Sequence, residues 1–241
     1  MSTAVHLGAA AEIALTRRLE ALANNVANAT TPGYRADGVK FDALVATRGG
    51  DRTTYPSGAV DYISRASGGV LRTGAPLDLA VRGDAWFSLM TPAGQTYTRD
   101  GRVTLANTGE LLSVNGYSIL DASGSPMFAD PGGGEISVAP DGMMTQGARQ
   151  IGAVGLFKLP DDTRLTRYDN SSLFSSLPAE PVVDFSRNGV LQGYIEQSNA
   201  DPVIEMGRLI EIQRAFEAVA GAIDMSDTLA QDAIKTLGSP S

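Results

Sequence analysis

The 241-residue chain has no cysteine, one histidine and one tryptophan. Without thiols it forms neither a disulfide nor a thiolate metal site, and it is indifferent to an oxidising or a reducing compartment. The lone histidine, His6, lies near the N-terminus and reads as a solvent-facing side chain, not as the base of a Ser-His-Asp triad. Lysine and arginine number 19 against 27 acids, a net charge of −8. No basic stripe is visible, so nucleic acid is not expected as a partner. No stretch approaches the ~20 apolar residues that span a bilayer, so no direct membrane span is expected. Ala4–Leu15 lacks a basic start and Glu12 interrupts its apolar run, so it does not read as a cleaved targeting signal. Any exit from the cytoplasm would follow a route without such a cleavage.

Signs of catalysis are equally sparse. Asp161-Asp162 and Asp169 are the nearest approach to a carboxylate cluster, but they occupy a polar, turn-like stretch and read as solvated. Gly132-Gly133-Gly134 has neither the lysine nor the strand-to-helix setting of a phosphate loop. Trp86 lies in an apolar strand and reads as core. No catalytic residue, cofactor or metal site is expected, and the chain is read as a non-enzyme.

What the chain does have is an apolar seam at each end. Leu15, Leu19, Leu22 and Val26 follow a 4-3-4 spacing. Leu209, Phe216, Ile223, Ala230 and Leu237 recur every seventh residue, with Ile212, Val219, Ser226 and Ala233 between them. Such spacing is the signature of helices packing on helices. The first helix spans about residues 5–28 and is stopped by Pro32-Gly33. Asp201-Pro202 opens the last one, since Asp is a favoured N-cap and proline fits the first helical position.

Between the seams, 27 glycines and 12 prolines across the chain point to tight turns. Residues 35–75 read as an extended connector with one or two short strands. From Leu77 onward short apolar runs, among them Leu77–Val81, Trp86–Met90, Thr96–Arg99, Val103–Leu105, Leu111–Val114 and Ile136–Val138, alternate with turn pairs such as Asn115-Gly116 and Asp141-Gly142. The resulting expectation is an α+β chain. Long N- and C-terminal helices (1–34 and 196–241) pair as a coiled-coil-like domain, an extended connector follows the first (35–75), and a central all-β barrel or sandwich fills 76–195.

Two blocks carry a more specific signal. Leu22-Ala23-Asn24-Asn25-Val26-Ala27-Asn28 followed by Thr31-Pro32-Gly33-Tyr34 resembles the N-terminal signature of bacterial flagellar rod and hook axial proteins. Gly193-Tyr194-Ile195-Glu196-Gln197-Ser198-Asn199, with Glu205-Met206, Ile210 and Gln213 to Glu217, is similar to their C-terminal signature. Thr73-Gly74, Leu77–Val81, Tyr97-Thr98-Arg99-Asp100-Gly101 and Gly109-Glu110-Leu111-Leu112 match the family's β domain in the right order.

The resemblance implies a structural subunit of a tubular drive shaft enclosing an export channel. Its partners would be copies of itself and neighbouring proximal- and distal-rod proteins, with delivery to the periplasmic rod by the flagellar type III export apparatus. It also implies a subunit-packing role for Leu15, Leu19, Leu22, Asn24, Asn25, Val26, Asn28, Leu209, Ile212, Phe216, Val219, Ile223 and Leu237. Length, Asp61-Tyr62 and Pro202-Val203 fit a proximal-rod subunit, whereas Gln213-Arg214 looks more like a distal-rod one. Distal-rod or hook identity is the near alternative. A secreted carbohydrate-binding or carbohydrate-active β protein is the distant one, and aromatics at 6 % of the chain supply little for it.

Overall fold

Tight turns built on glycine divide the middle of the chain into many short strands, while its two alanine- and leucine-containing ends remain helical. The structure, a computed structural model, describes residues 3–48 and 51–238. Helix α1 (Thr3–Ala27) is followed by β1 (Asp37–Arg48), β2 (Asp51–Ile63), β3 (Val70–Arg72), β4 (Leu79–Arg82), β5 (Ala85–Thr91), β6 (Gly94–Thr98), β7 (Val103–Leu105), β8 (Leu111–Ser113) and β9 (Ser118–Ile119). Then come β10 (Ile136–Val138), β11 (Met143–Gln146), β12 (Arg149–Ala153), β13 (Leu156–Lys158), β14 (Leu165–Arg167), β15 (Ser172–Ser175), β16 (Glu180–Pro181), β17 (Gly189–Gln192), β18 (Tyr194–Glu196) and helix α2 (Pro202–Gly238). The chain forms two compact units. Unit 1 holds α1, residues 37–62 and the chain from Asp201 onward; unit 2 holds residues 28–36 and 63–200.

Strand β5 organises unit 2. From Phe87 to its end it pairs with β6, Phe87↔Thr98 through Thr91↔Gly94. Its other edge is shared, with β13 opposite Ala85 to Phe87 and β9 opposite Leu89 and Met90. The sheet runs β14-β15-β6-β5-β9-β8-β7, with β16 added on β13. Because side chains alternate along a strand, β5 feeds two cores. Ala85, Phe87 and Leu89 join the larger cluster with Leu79, Leu111 and Met144. Trp86 joins the smaller one with Tyr97, Phe157, Leu159 and Leu173. A strand buried on both faces reads as a near-continuous apolar run, which is how Ala85–Met90 appears in the sequence. The smaller sheets are β10-β11-β12, β17-β4 and β18-β3. Gly101 permits the close crossing beneath β4, since a Cβ there would lie 1.8 Å from the Leu79 carbonyl oxygen.

Two parts of the sequence expectation are corrected. Residues 35–75 are not an extended connector: β1 and β2 are long strands that form a two-stranded sheet, and β3 follows. Gly38, Pro56 and Gly58 obscured the alternation of Val39, Phe41, Ala43 and Val45. A two-stranded sheet is all edge, which is where proline is tolerated. At its base Gly38 has no Cβ and lets the Tyr62 ring close over it; an added Cβ would sit 2.5 Å from Tyr62 Cζ. Lys40 Nζ lies 4.6 Å from the centre of the same ring.

Nor is a coiled-coil-like pairing of the terminal helices what the structure shows. It has one helix at each end and strands nearly everywhere between. A coiled-coil seam buries both alternating positions of its heptad. On α1, Leu15 and Leu22 are buried but Leu19 and Val26 are each 37 % exposed. The buried stripe runs instead through Leu15, Leu22 and Asn25, flanked by half-buried Ala11, Ala14 and Ala21. Alanine is small enough to rotate the buried face away from the leucines that marked the 3.5-residue period. On α2, Ile212 is buried while Leu209, Phe216, Val219 and Ile223 are half-buried. The side chains of Ser226, Ala230, Ala233 and Leu237 lie outside the described residues.

Leu111 is 1 % exposed at the centre of the larger core. Leu111→Ala should therefore lower stability by ~2–5 kcal/mol. Urea unfolding of the full-length protein should register this as a lower midpoint with an unchanged slope.

Candidate functional site

The segments that link unit 2 to the two helices meet inside unit 2, around Trp86. Residues 28–36, just after α1, begin with a turn: Thr31 N–H donates to Asn28 O at 3.0 Å and Tyr34 N–H to Thr31 O at 3.3 Å. Pro32-Gly33 then redirects the chain. Gly33 has a φ of 70°, and a Cβ on it would fall 2.1 Å from the Asp100 nitrogen. Glycine is thus required there for both conformation and space. Tyr34 is fully buried, with the Arg167 guanidinium 4.3 Å from its ring centre.

Next to Tyr34, Arg35 enters a buried charge cluster. Glu196 of β18 pairs with both guanidinium groups: Arg35 Nη2 lies 2.6 Å from Oε1 as an ion pair and Arg99 Nη1 donates to Oε2 at 3.0 Å, with all three side chains 1–2 % exposed. Gly68 N–H also donates to Glu196 Oε1 at 3.0 Å. Arg35 Nη1 donates to Ala66 O at 2.5 Å and Arg99 Nη2 to Gly83 O at 2.8 Å. Both cations stand near the single tryptophan, 5.3 Å and 5.0 Å from the Trp86 ring centre, a distance at which the ring quadrupole attracts a cation. Burial pushes the Arg35 guanidinium down to about 10. Glu196 opposes that shift and Arg99 adds to it, so Arg35 remains charged at neutral pH. Burial lowers Arg99 in the same way, again countered by Glu196.

Asn199 fastens the outgoing segment to the incoming one. Its backbone N–H donates to Tyr34 O at 3.3 Å, its Oδ1 accepts from Ala36 N–H at 2.6 Å, and its Nδ2 donates to Ala66 O at 2.7 Å. Gly33 N–H donates to Glu196 O at 2.8 Å. The N-terminal, central and C-terminal sequence blocks therefore converge here through Gly33 and Tyr34, Arg99, and Glu196 and Asn199.

Apart from Asn28, the residues picked out for subunit packing lie elsewhere. Asn25 is 2 % exposed and binds the Asp37 backbone within unit 1, donating to its carbonyl at 2.9 Å and accepting from its N–H at 2.8 Å. Asn28 Oδ1 accepts from Thr31 Oγ1 at 3.2 Å. Asn24 is exposed on α1. Leu15, Leu22 and Ile212 are buried, and Leu19 and Val26 are exposed. Leu209, Phe216, Val219 and Ile223 are half-buried on α2.

Asp201 caps α2, its Oδ1 accepting from Val203 N–H at 2.8 Å. Beyond it the first turns carry exposed Val203, Ile204, Met206 and Ile210. Asp169 serves as a turn acceptor for Ser171 and Ser172, and the Asp161 side chain is fully exposed. Among the described residues no group of histidine, cysteine and acids is arranged to hold a metal ion, and no helix is long and apolar enough to cross a membrane.

Sequence reasoning quoted Arg99 and Glu196 within their motifs but gave them no role, and it passed over Arg35. An arginine directly after Thr-Pro-Gly-Tyr, and a charged residue at an inward position of Tyr-Ile-Glu, were the available signals.

Comparison with known proteins covers the same three regions. The family models described as flagella basal body rod protein, flagellar hook protein FlgE/F/G D1 domain, and flagellar basal body rod FlgEFG protein C-terminal match residues 7–35, 80–146 and 191–236. These matches define the class, the axial proteins of the flagellar rod and hook. The flagellar basal-body rod protein FlgF of Mesorhizobium japonicum is 42 % identical over 241 residues, 100 % of both chains. That of Caulobacter vibrioides is 34 % identical over 250 residues, 99 % of each. The flagellar basal-body rod protein FlgG of Bacillus subtilis is 30 % identical over 247 residues, covering 90 % of this chain and 92 % of its own. The chain belongs to the flagellar basal-body rod protein FlgF family.

Glu196→Gln keeps the shape of the side chain and removes the charge that Arg35 and Arg99 share. Stranding two buried cations should lower stability by ~3–5 kcal/mol. Denaturant titration followed by Trp86 emission measures this, because the single indole sits in the cluster itself.

Proposed function

We propose that this protein is a structural subunit of the proximal part of the flagellar basal-body rod, built into a tube with copies of itself and with neighbouring rod and hook proteins. The observation that carries this reading is full-length similarity to FlgF proteins. Matches to rod-family models at both ends of the chain add support. A physical argument agrees with it. Val203, Met206 and Ile210 follow one another at helical spacing on α2, 77 %, 59 % and 53 % exposed. On α1, Ile13, Leu19 and Val26 are also exposed. Apolar helix surface of this kind is stabilised when a neighbouring chain covers it, at ~25 cal/mol per Å² removed from water.

Repeated contacts between unlike surfaces generate a helical tube when the rotation does not close into a ring. In this reading Leu19, Asn24, Val26, Leu209, Phe216 and Val219 take part in subunit packing, and α1 and α2 act as rigid members that carry torque. The protein acts mechanically and not as an enzyme. The flagellar type III export apparatus delivers it to a rod that crosses the periplasm.

Ile210→Asp places a charge on the exposed stripe, and Phe216→Asp does so at a half-buried position beside it. Either substitution in the full-length protein should abolish swimming and leave isolated basal bodies without a complete rod. Trp86 emission of the purified variants should match that of the parent. A motile strain with normal basal bodies would contradict the proposal.

A further inference from the structure

Unit 2 is completed by a segment near the end of the chain, residues 189–199, which bonds to β3, β4, residues 136–138 and residues 33–36. β17 pairs with β4 from Gly189↔Arg82 to Gln192↔Leu79. β18 pairs with β3 from Tyr194↔Arg72 to Glu196↔Val70. Gln192 Oε1 accepts from Val138 N–H at 3.0 Å, and its Nε2 donates to Pro76 O at 2.7 Å and Ile136 O at 2.8 Å. Glu196 supplies the carboxylate shared by Arg35 and Arg99. Asn199 ties residues 34 and 36 to residue 66. Without this segment, two guanidinium groups within 5.3 Å of the Trp86 ring centre would lose their common counter-charge, and β3 would lose the strand it pairs with in its two-stranded sheet.

We infer that residues 189–199 are a closing latch: unit 2 reaches its folded state only when this segment is in place. The reason is electrostatic as much as geometric. Arg35 and Arg99 repel one another and are held out of water, so bringing them together around Trp86 is unfavourable until Glu196 arrives. A chain appearing from its N-terminus therefore cannot complete unit 2 before the residues directly preceding α2 are available. This inference rests on the contacts within unit 2 alone and is independent of the rod assignment.

Native-state hydrogen exchange on the full-length protein, at denaturant concentrations below the unfolding transition, tests it. The amides of Gly33, Gly68 and Gln197 should be protected to within about tenfold of the β5 and β6 amides, because all open in one cooperative unit. Protection of the 189–199 segment and its partners more than about tenfold weaker than in β5, with Trp86 emission still that of a buried indole, would overturn the inference. Asn199→Ala is a milder perturbation than removing the buried charge. It should speed exchange in residues 189–199, at Gly33 and in β5 by a common factor. Acceleration confined to residues 189–199 would likewise overturn the latch.

Discussion

One carboxylate, that of Glu196, makes the centre of unit 2 possible. Two arginines are sequestered there with almost no access to water, and an unpaired cation in such a place is far more costly than any packing contact nearby can offset. Glu196 gives one oxygen to each. The carbonyls of Ala66 and Gly83 take further guanidinium hydrogens, and the Trp86 ring adds its quadrupole. Buried ion clusters contribute little net stability compared with apolar replacements. What this one does is specify partners, because a guanidinium fork and a carboxylate fit in few relative positions. It thereby sets how the segments just after α1, in the middle of the chain and just before α2 sit together.

Around that centre the backbone is held by requirements of space more than of energy. Gly33 must pass within van der Waals contact of Asp100, Gly101 against Leu79 and Gly68 against Gln197, where a Cβ would meet the Gln197 oxygen at 2.0 Å. These three glycines lie in or beside the same cluster, and together they explain the close approach of segments that carry large charged side chains. Arg102 completes the crossing by chelating Asp100, through Nε at 2.9 Å and Nη2 at 2.6 Å.

Unit 1 presents a different physical problem. Its helices bury narrow stripes and leave apolar residues such as Ile13, Val203 and Ile210 exposed, while its polar amide Asn25 is buried and bonded to the chain's own backbone. Leu15, Leu22 and Ile212 are buried as well, so the helices cover only part of their apolar surface, and the exposed remainder is what the proposed packing with neighbours would cover. Unit 2, with its two apolar clusters, has the burial of a domain that holds its shape by itself.

Local chemistry alone determined much of this protein: the end of α1 ahead of the turn that leads into Pro32-Gly33, the start of α2 at Asp201-Pro202, the run of β5, the turn pairs of the middle region, and the family motifs at both ends. Each depends on a residue and its immediate neighbours, through capping, proline geometry or alternation. Tertiary structure decided the rest. Whether Leu19 or Asn25 faces inward depends on what covers the helix, which a heptad count does not contain. β1 and β2 became long strands because each supplies the other's partner, despite glycines and a proline that locally argue for a loop. The charge cluster was the least legible feature, because Arg99 and Glu196 stand 97 residues apart and a lone charged residue in a motif looks solvated until folding removes its water. Burial is a property of the whole chain, and it turned three ordinary charged residues into the centre of the β unit.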